Sequence, residues 1–351
     1  MNRDLKNCTF AQLADLLTAL GAKPYLTDYI FSFIHTRNIA DTNDISPLPK
    51  TLRTELIRQG FHISTLTTVQ TFQDPDSTGK YLFEAPDHTR LESVLLTDTA
   101  AGGRKTLCIS SQAGCRMACR FCATGSLGFS RNLTAAEIVD QVNIIAADTG
   151  PINNIVYMGM GEPFDNYDAV LASLHILTDP HGRNIGQRHI TVSTCGVPDA
   201  IETFAGEHLQ VRLAVSLHAP TDDIRRQIVP VSGKYPLARL IESIKHYQQK
   251  TRRRVTVEYC MIKDINDSPQ HARQLAALIR PLKASVNLIE FNPYEGCPFK
   301  SSPQRSIEQF KTVLTDARIE TVIRYRRGRS IKAACGQLGA DFLSPHRNNH
   351  R

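Results

Sequence analysis

The chain has 351 residues, 41% of them hydrophobic, enough to fill the core of one large domain or of a large domain with a small one attached. Its apolar stretches are shorter than the ~18 residues that cross a bilayer, and Met1 to Lys6 carry no apolar leader, so a cytoplasmic protein with no membrane contact is expected. The 41 Lys and Arg exceed the 34 Asp and Glu by seven, with clusters at Arg252 to Arg254 and at Arg324 to Lys332, which suits a phosphate-rich partner or two solvated faces.

Along the chain, the first ~65 residues carry helical patterns. Phe10 to Leu20 repeats apolar residues at intervals of three and four, Tyr29 to Ile34 does so more briefly, and a further helix runs from about Thr51 to Gln59 after Pro47 and Pro49. From Leu66 to Asp98 the pattern changes to short alternating segments, among them Lys80 to Glu84 and Leu91 to Leu96, parted by turn residues at Asp74 to Gly79. After residue 101, β-branched apolar runs alternate with helical stretches, the pattern of a parallel sheet with crossover helices. Strands are expected at Thr106 to Ser110, Asn154 to Met160, His189 to Ser193, Arg212 to Leu217, Val255 to Ile262, Val286 to Phe291 and Thr321 to Arg324. Helices fit at Thr134 to Ala147, Tyr167 to Leu177, Pro236 to Gln249, Pro269 to Ile279 and Pro303 to Ala317. Six or seven such units are too few for a closed eight-stranded barrel, so the fold class read here is α/β, an incomplete (β/α)6-type barrel. Its expected parts are an accessory module at 1–98, helical and then short-stranded, a core at 99–330 and a C-terminal segment at 331–351.

Nine cysteines without a secretion signal do not read as a disulfide framework. Cys8, Cys195, Cys260 and Cys297 are scattered and read as ordinary thiols. Cys115, Cys119 and Cys122 stand apart: three thiols within eight residues, directly after the first core strand, suit iron-sulfur or zinc. Structural zinc would want a fourth ligand, and no second CxxC pair exists. A 4Fe–4S cluster on three cysteines keeps one iron open, able to chelate the amino and carboxylate groups of S-adenosylmethionine (SAM) and reduce it to a 5′-deoxyadenosyl radical.

Several further motifs follow in order: Cys108 to Cys115, Met158 to Pro163, Val192 to Gly196, Ser216 to Pro220, Asn287 to Pro293 and Ala333 to Leu338. Together with the cysteine loop they resemble the RlmN/Cfr family of radical SAM RNA methyltransferases, with weaker similarity through the N-terminal module. The resemblance implies that SAM is bound by Gly161, Glu162, Ser193, Ser216, Leu217, His218 and Asn292, all at the carboxyl ends of expected strands, where barrel enzymes build their sites. Taken singly, Glu162 also reads as a neighbour of a helix cap, His218 as a satisfied strand-end histidine and Asn292 as a turn former.

The resemblance also implies a chemistry. Adenine carbons that bear hydrogen are poor nucleophiles, so a carrier is needed: Cys335 takes a methyl group from one SAM by displacement, and the radical from a second SAM activates it. Cys108 matches the thiol that resolves the adduct through a transient disulfide with Cys335, and Glu92 matches the family's proton acceptor. The implied substrates are an adenosine of 23S rRNA, methylated at carbon 2, and an adenosine of tRNA. The implied electron donor is a flavodoxin or ferredoxin, and the expected state is a monomer. Methylation at carbon 8, a radical enzyme on a non-RNA substrate, and an RNA-binding module with a structural metal remain as rivals. Glycines at 328, 336 and 339 suggest a mobile tail presenting Cys335, and the cations from Arg324 to Lys332 are expected to hold phosphates beside it. Ser330 and Lys332, where the family usually carries acidic residues, and the stretch Glu295 to Lys300 depart from the family pattern.

Overall fold

A computed structural model describes residues 3–100 and 102–343. The N-terminal module has helices at Phe10–Ala19, Leu26–His35 and Lys50–Arg58. Thr9 starts the first with a capping box, its hydroxyl accepting from the Gln12 N–H while the Gln12 side chain accepts from the Thr9 N–H. Leu13, Leu17, Ile30, Phe31, Ile34 and Leu56 meet as one buried core. A buried pair, Lys6 Nζ to Asp140 Oδ1 at 2.6 Å, ties the module to the long core helix Ala135–Thr149.

The strands in chain order are β1 (Thr67–Gln73), β2 (Thr78–Glu84), β3 (Arg90–Asp98), β4 (Arg104–Cys108), β5 (Gln112–Gly114), β6 (Phe129–Asn132), β7 (Asn154–Tyr157), β8 (Ile190–Thr194), β9 (Arg212–Ser216), β10 (Val255–Met261), β11 (Ala284–Glu290) and β12 (Thr321–Arg324). β5 and β6 form a separate ribbon; the others make one ten-stranded sheet ordered β1-β2-β3-β4-β7-β8-β9-β10-β11-β12. Pairing is antiparallel from β1 to β4 and parallel from β4 onward. The parallel strands and their crossover helices are the α/β architecture expected, and among the described residues no ladder joins β12 to β1, so the barrel stays open. The segment after β12 crosses that side: Arg327 donates to the carbonyls of Asp76 (2.8 Å) and Thr97 (2.7 Å), and Gly328 N–H donates to Asp76 Oδ2.

The boundaries shift for local reasons. The strand expected to reach Met160 stops at Tyr157, because Met158 to Glu162 turn across the strand end. Helices Pro198–Phe204 and Asp222–Ile228 escape periodicity because seven residues make barely two turns. Among the described residues no helix is long and apolar enough to cross a membrane.

Candidate active site

The cysteine loop is built from the ends of the β5–β6 ribbon. Cys115 N–H donates to the Gly128 carbonyl (2.8 Å), Cys122 N–H to the Cys119 carbonyl (3.1 Å) and Arg120 N–H to the Ile228 carbonyl (2.9 Å). The short helix Ala123–Leu127 then leaves the loop, packed so closely that a Cβ on Gly125 would lie 2.7 Å from the Cys119 carbonyl oxygen. All three thiols open on one cavity at the carboxyl ends of the parallel strands, with about 920 Å³ of space including its mouth. Burial pushes the Cys115 thiol up to about 12, and it pushes Cys119 and Cys122 up as well; for Cys115 and Cys119 the neighbouring cysteines add to the rise. Thiols this reluctant to ionise together need a cation to hold them as thiolates.

Among the described residues, no three His, Cys, Asp or Glu side chains converge as a single ion requires. Tetrahedral zinc would draw its sulfurs to within about 4 Å of one another. Three cysteines from one loop, with open space beside them, fit a 4Fe–4S cluster, and Cys195, Cys260 and Cys335 line the same cavity.

Much of the remaining lining comes from the strand ends. Gly161 has φ +101°, and a Cβ there would lie 2.5 Å from Gln112 Cβ, so only glycine admits this turn. Glu162 is buried; Oε1 accepts from the Phe164 N–H (3.0 Å) and Oε2 from the Cys195 N–H (2.7 Å), while burial raises its pKa. Ser193 and Ser216 hydroxyls stand 3.5 Å apart on β8 and β9. His218 is held to about 3 by burial, with the charge of Arg225 adding to it. Its Nδ1 accepts from the Cys260 N–H (3.0 Å), so the neutral ring carries its proton on Nε2, as a donor. Leu217 is buried outside the lining, its carbonyl accepting from Arg225 Nε (3.2 Å).

Cys335 lies on the same cavity, laced to the cysteine loop: Ala123 N–H donates to the Gly336 carbonyl (2.8 Å) and Thr124 Oγ1 to the Leu338 carbonyl (2.6 Å). Asn292 Nδ2 donates to the Cys335 carbonyl (3.1 Å). Although residue Cys335 presents exposed surface, protein crowds its sulfur and raises the thiol pKa, with the Glu258 carboxylate as the next cause. Cys108, on β4, is outside the lining; burial first, then the proximity of Cys335, raise its pKa. Both are free thiols here.

Glu92 is also outside the lining. It sits on β3, buried, with Oε1 3.1 Å from Lys80 Nζ and Oε2 accepting from the Gly339 N–H at 2.8 Å. Lys80, itself buried, reaches Asp341 as well (2.7 Å), and Lys332 reaches Asp341 from outside (2.9 Å). The segment carrying Cys335 is therefore tied down at least from Gly328 to Asp341, and its glycines serve positive-φ turns. This corrects the expected mobile tail. The expected phosphate-holding run is likewise mostly engaged inside the protein: Arg326 pairs with Glu290 (2.6 Å), Arg327 with two carbonyls and Lys332 with Asp341. Arg254 pairs with Glu320 at the amino ends of the strands, remote from the cavity.

The cavity also contains residues that the sequence reading passed over. Cys195 and Cys260, read as ordinary thiols, line it, as does Glu258. The signal for Glu258 is a carboxylate inside an otherwise apolar strand, Val255–Met261.

Residues 109–276 match the family model described as the Radical SAM superfamily. The chain is 39% identical, over 97% of its length and 98% of the relative's, to a protein of Thermoanaerobacter sp. (strain X514) named probable dual-specificity RNA methyltransferase RlmN. A protein of Thermus thermophilus with the same name is 42% identical over 93% of this chain and 92% of its own. The crystal structure of a radical SAM methyltransferase from Sphaerobacter thermophilus superposes with a TM-score of 0.89 at 42% identity, covering 96% of this chain and 99% of that one.

Proposed function

The chain belongs to the RlmN family of radical SAM RNA methyltransferases, and from that premise we propose that it methylates carbon 2 of an adenosine in 23S rRNA, and of a tRNA adenosine, through a methyl group carried on Cys335. The observation that carries this reading is the shared cavity: one thiol from the far end of the chain opens on the same space as the three loop cysteines. Cys115, Cys119 and Cys122 hold the 4Fe–4S cluster, which when bound supplies the electron that cleaves SAM to a 5′-deoxyadenosyl radical.

The protein's own groups do the rest. The SAM set is Gly161, Glu162, Ser193, Ser216, Leu217, His218 and Asn292, of which Gly161, Glu162, Ser193, Ser216 and His218 line the cavity; Glu162 meets the methionine ammonium and His218 offers its Nε2–H. Two SAM molecules serve each turnover. Cys335 takes the methyl group of the first by polar displacement and holds it for the adenine, which enters as a splayed nucleotide. Cys108 frees the product by forming a disulfide with Cys335, and Glu92 accepts the adenine proton. That Cys335 adds to the raised pKa of Cys108 supports the first of these roles. The Glu92 role calls for its carboxylate to release Gly339 or to act through that contact.

Mass spectrometry of rRNA and tRNA nucleosides from a strain lacking the gene tests the reading. We expect 2-methyladenosine to be lost, and restored by the wild-type gene but not by Cys335→Ala. Loss of 8-methyladenosine instead would overturn the choice of carbon 2, and restoration by Cys335→Ala would remove the carrier.

A further inference from the structure

Ser216, Glu258 and Asn287 form one row across three neighbouring parallel strands, paired in register at Glu258 to Ser216 and Glu258 to Asn287. Within that row Glu258 is the sole carboxylate, buried to 4% exposure, and it lines the cavity together with Cys335. Its Oε1 accepts from Asn287 Nδ2 at 2.8 Å. Among the described residues this is the one hydrogen bond found for its carboxylate, and Glu258 lines the cavity. The charge of Glu258 is the foremost electrostatic influence on the Cys335 thiol. Glu92, by contrast, is outside the cavity lining with both oxygens engaged.

Methyl loading of Cys335 needs a proton acceptor. An ordinary cysteine is mostly the thiol at neutral pH, whereas displacement at a sulfonium methyl requires the thiolate.

We propose that Glu258 is the catalytic base of this loading step, taking the Cys335 proton as the sulfur attacks the methyl group of SAM. The inference rests on the carrier role of Cys335 proposed above. In the step the Cys335 S–H bond breaks and its proton passes to Glu258; a bond forms from sulfur to the methyl carbon while the sulfonium–methyl bond breaks. The products are S-methylated Cys335 and neutral S-adenosylhomocysteine, with no net oxidation or reduction. Glu258 returns its proton to solvent through the cavity mouth. Burial lifts its carboxyl to about 7, moderated by the Asn287 hydrogen bond and the charge of Arg324, which matches a base working at neutral pH. The groups facing it are Ser216 on β9, Asn287 on β11, Arg324 on β12 and Cys335 from the C-terminal segment.

The test uses full-length protein purified without iron and reconstituted anaerobically. It is given SAM with a labelled methyl group and no reductant, and label on the Cys335 peptide is followed by mass spectrometry. Glu258→Gln should load Cys335 about 100-fold more slowly at saturating SAM, and should lose the limb of the wild-type rate that rises through pH 7. Glu258→Asp should keep part of the rate. In iron-free protein, Glu258→Gln should instead quicken alkylation of Cys335 by iodoacetamide, because removing a neighbouring negative charge raises the thiolate fraction. Loading and alkylation moving in opposite directions separates a base from a mere neighbouring charge. Loading by Glu258→Gln within threefold of wild type, or a loss confined to the KM for SAM, overturns the inference. A wild-type Cys335 that never takes label overturns the carrier reading as well.

Discussion

The cysteine loop and the C-terminal segment meet at one cavity, yet they are held there by different means. The loop is positioned by partners mostly close in sequence: Cys115 against Gly128, Cys122 against Cys119, Gly125 against the Cys119 backbone. The segment carrying Cys335 is positioned by partners about 250 residues away, through Asp74, Asp76, Lys80 and Glu92. A metal-binding loop has to bring its ligands together before its metal arrives, and local turns achieve that. A thiol in the carrier role proposed above has to meet chemistry assembled elsewhere, and buried charges fix its place. Lys80 is the centre of that arrangement, since one ammonium serves both Glu92 and Asp341.

Breaking each region separately is the sharpest test. Cys122→Ser should abolish iron-sulfur absorbance and methylation together, whereas Cys335→Ala should keep the absorbance and lose methylation; parallel loss of iron in both would end the distinction. Lys80→Met leaves the buried Glu92 carboxylate without its cation, and should cost about 3 to 5 kcal/mol in urea denaturation with the iron content of the folded protein unchanged. Asp341→Asn keeps the shape but weakens the charge-assisted contacts to Lys80 and Lys332 on a partly exposed residue, for about 1 to 2 kcal/mol in the same assay.

The smallest effect lies outside both regions and serves as a control. His35 is fully buried against Phe31 with neither ring nitrogen hydrogen-bonded, and burial, then the charges of Lys6 and Arg183, lower it to about 3. Its pKa is depressed on folding, so below the unfolded value of about 6.5 the unfolded chain takes up a proton that the folded one refuses. Stability from this group is complete above that pH and falls as acid is added. Going from pH 6.5 to 5.5 should cost about 1 kcal/mol. In His35→Phe, urea titrations at the two pH values should show that increment vanish; an unchanged increment would assign it to another group.

The same contrast explains what could be read in the sequence. Helix starts carry their own signals, such as Thr9 with Gln12 and Thr134 with Glu137, and the β-branched runs gave the parallel strands to within a few residues. The cysteine loop was legible because its ligands are neighbours. The ties of the C-terminal segment were not, because nothing near Lys80 in the chain announces a partner at Asp341, and glycines that serve tight turns read equally well as looseness. Cys260, on β10, and Cys195, just past the end of β8, reach the cavity through the way the parallel strands line up, which spacing in one sequence does not reveal.

The lacing of Gly336 and Leu338 onto Ala123 and Thr124 also sets an order in time. Cys335 is made 213 residues after Cys122, which at ribosomal speed is a gap of roughly 10 to 40 s. Until then the loop lacks the contacts that Gly336 and Leu338 make to Ala123 and Thr124. On the function proposed above, a chain without this segment would keep the three loop cysteines and lose both the Cys335 thiol and the contacts that cover the loop.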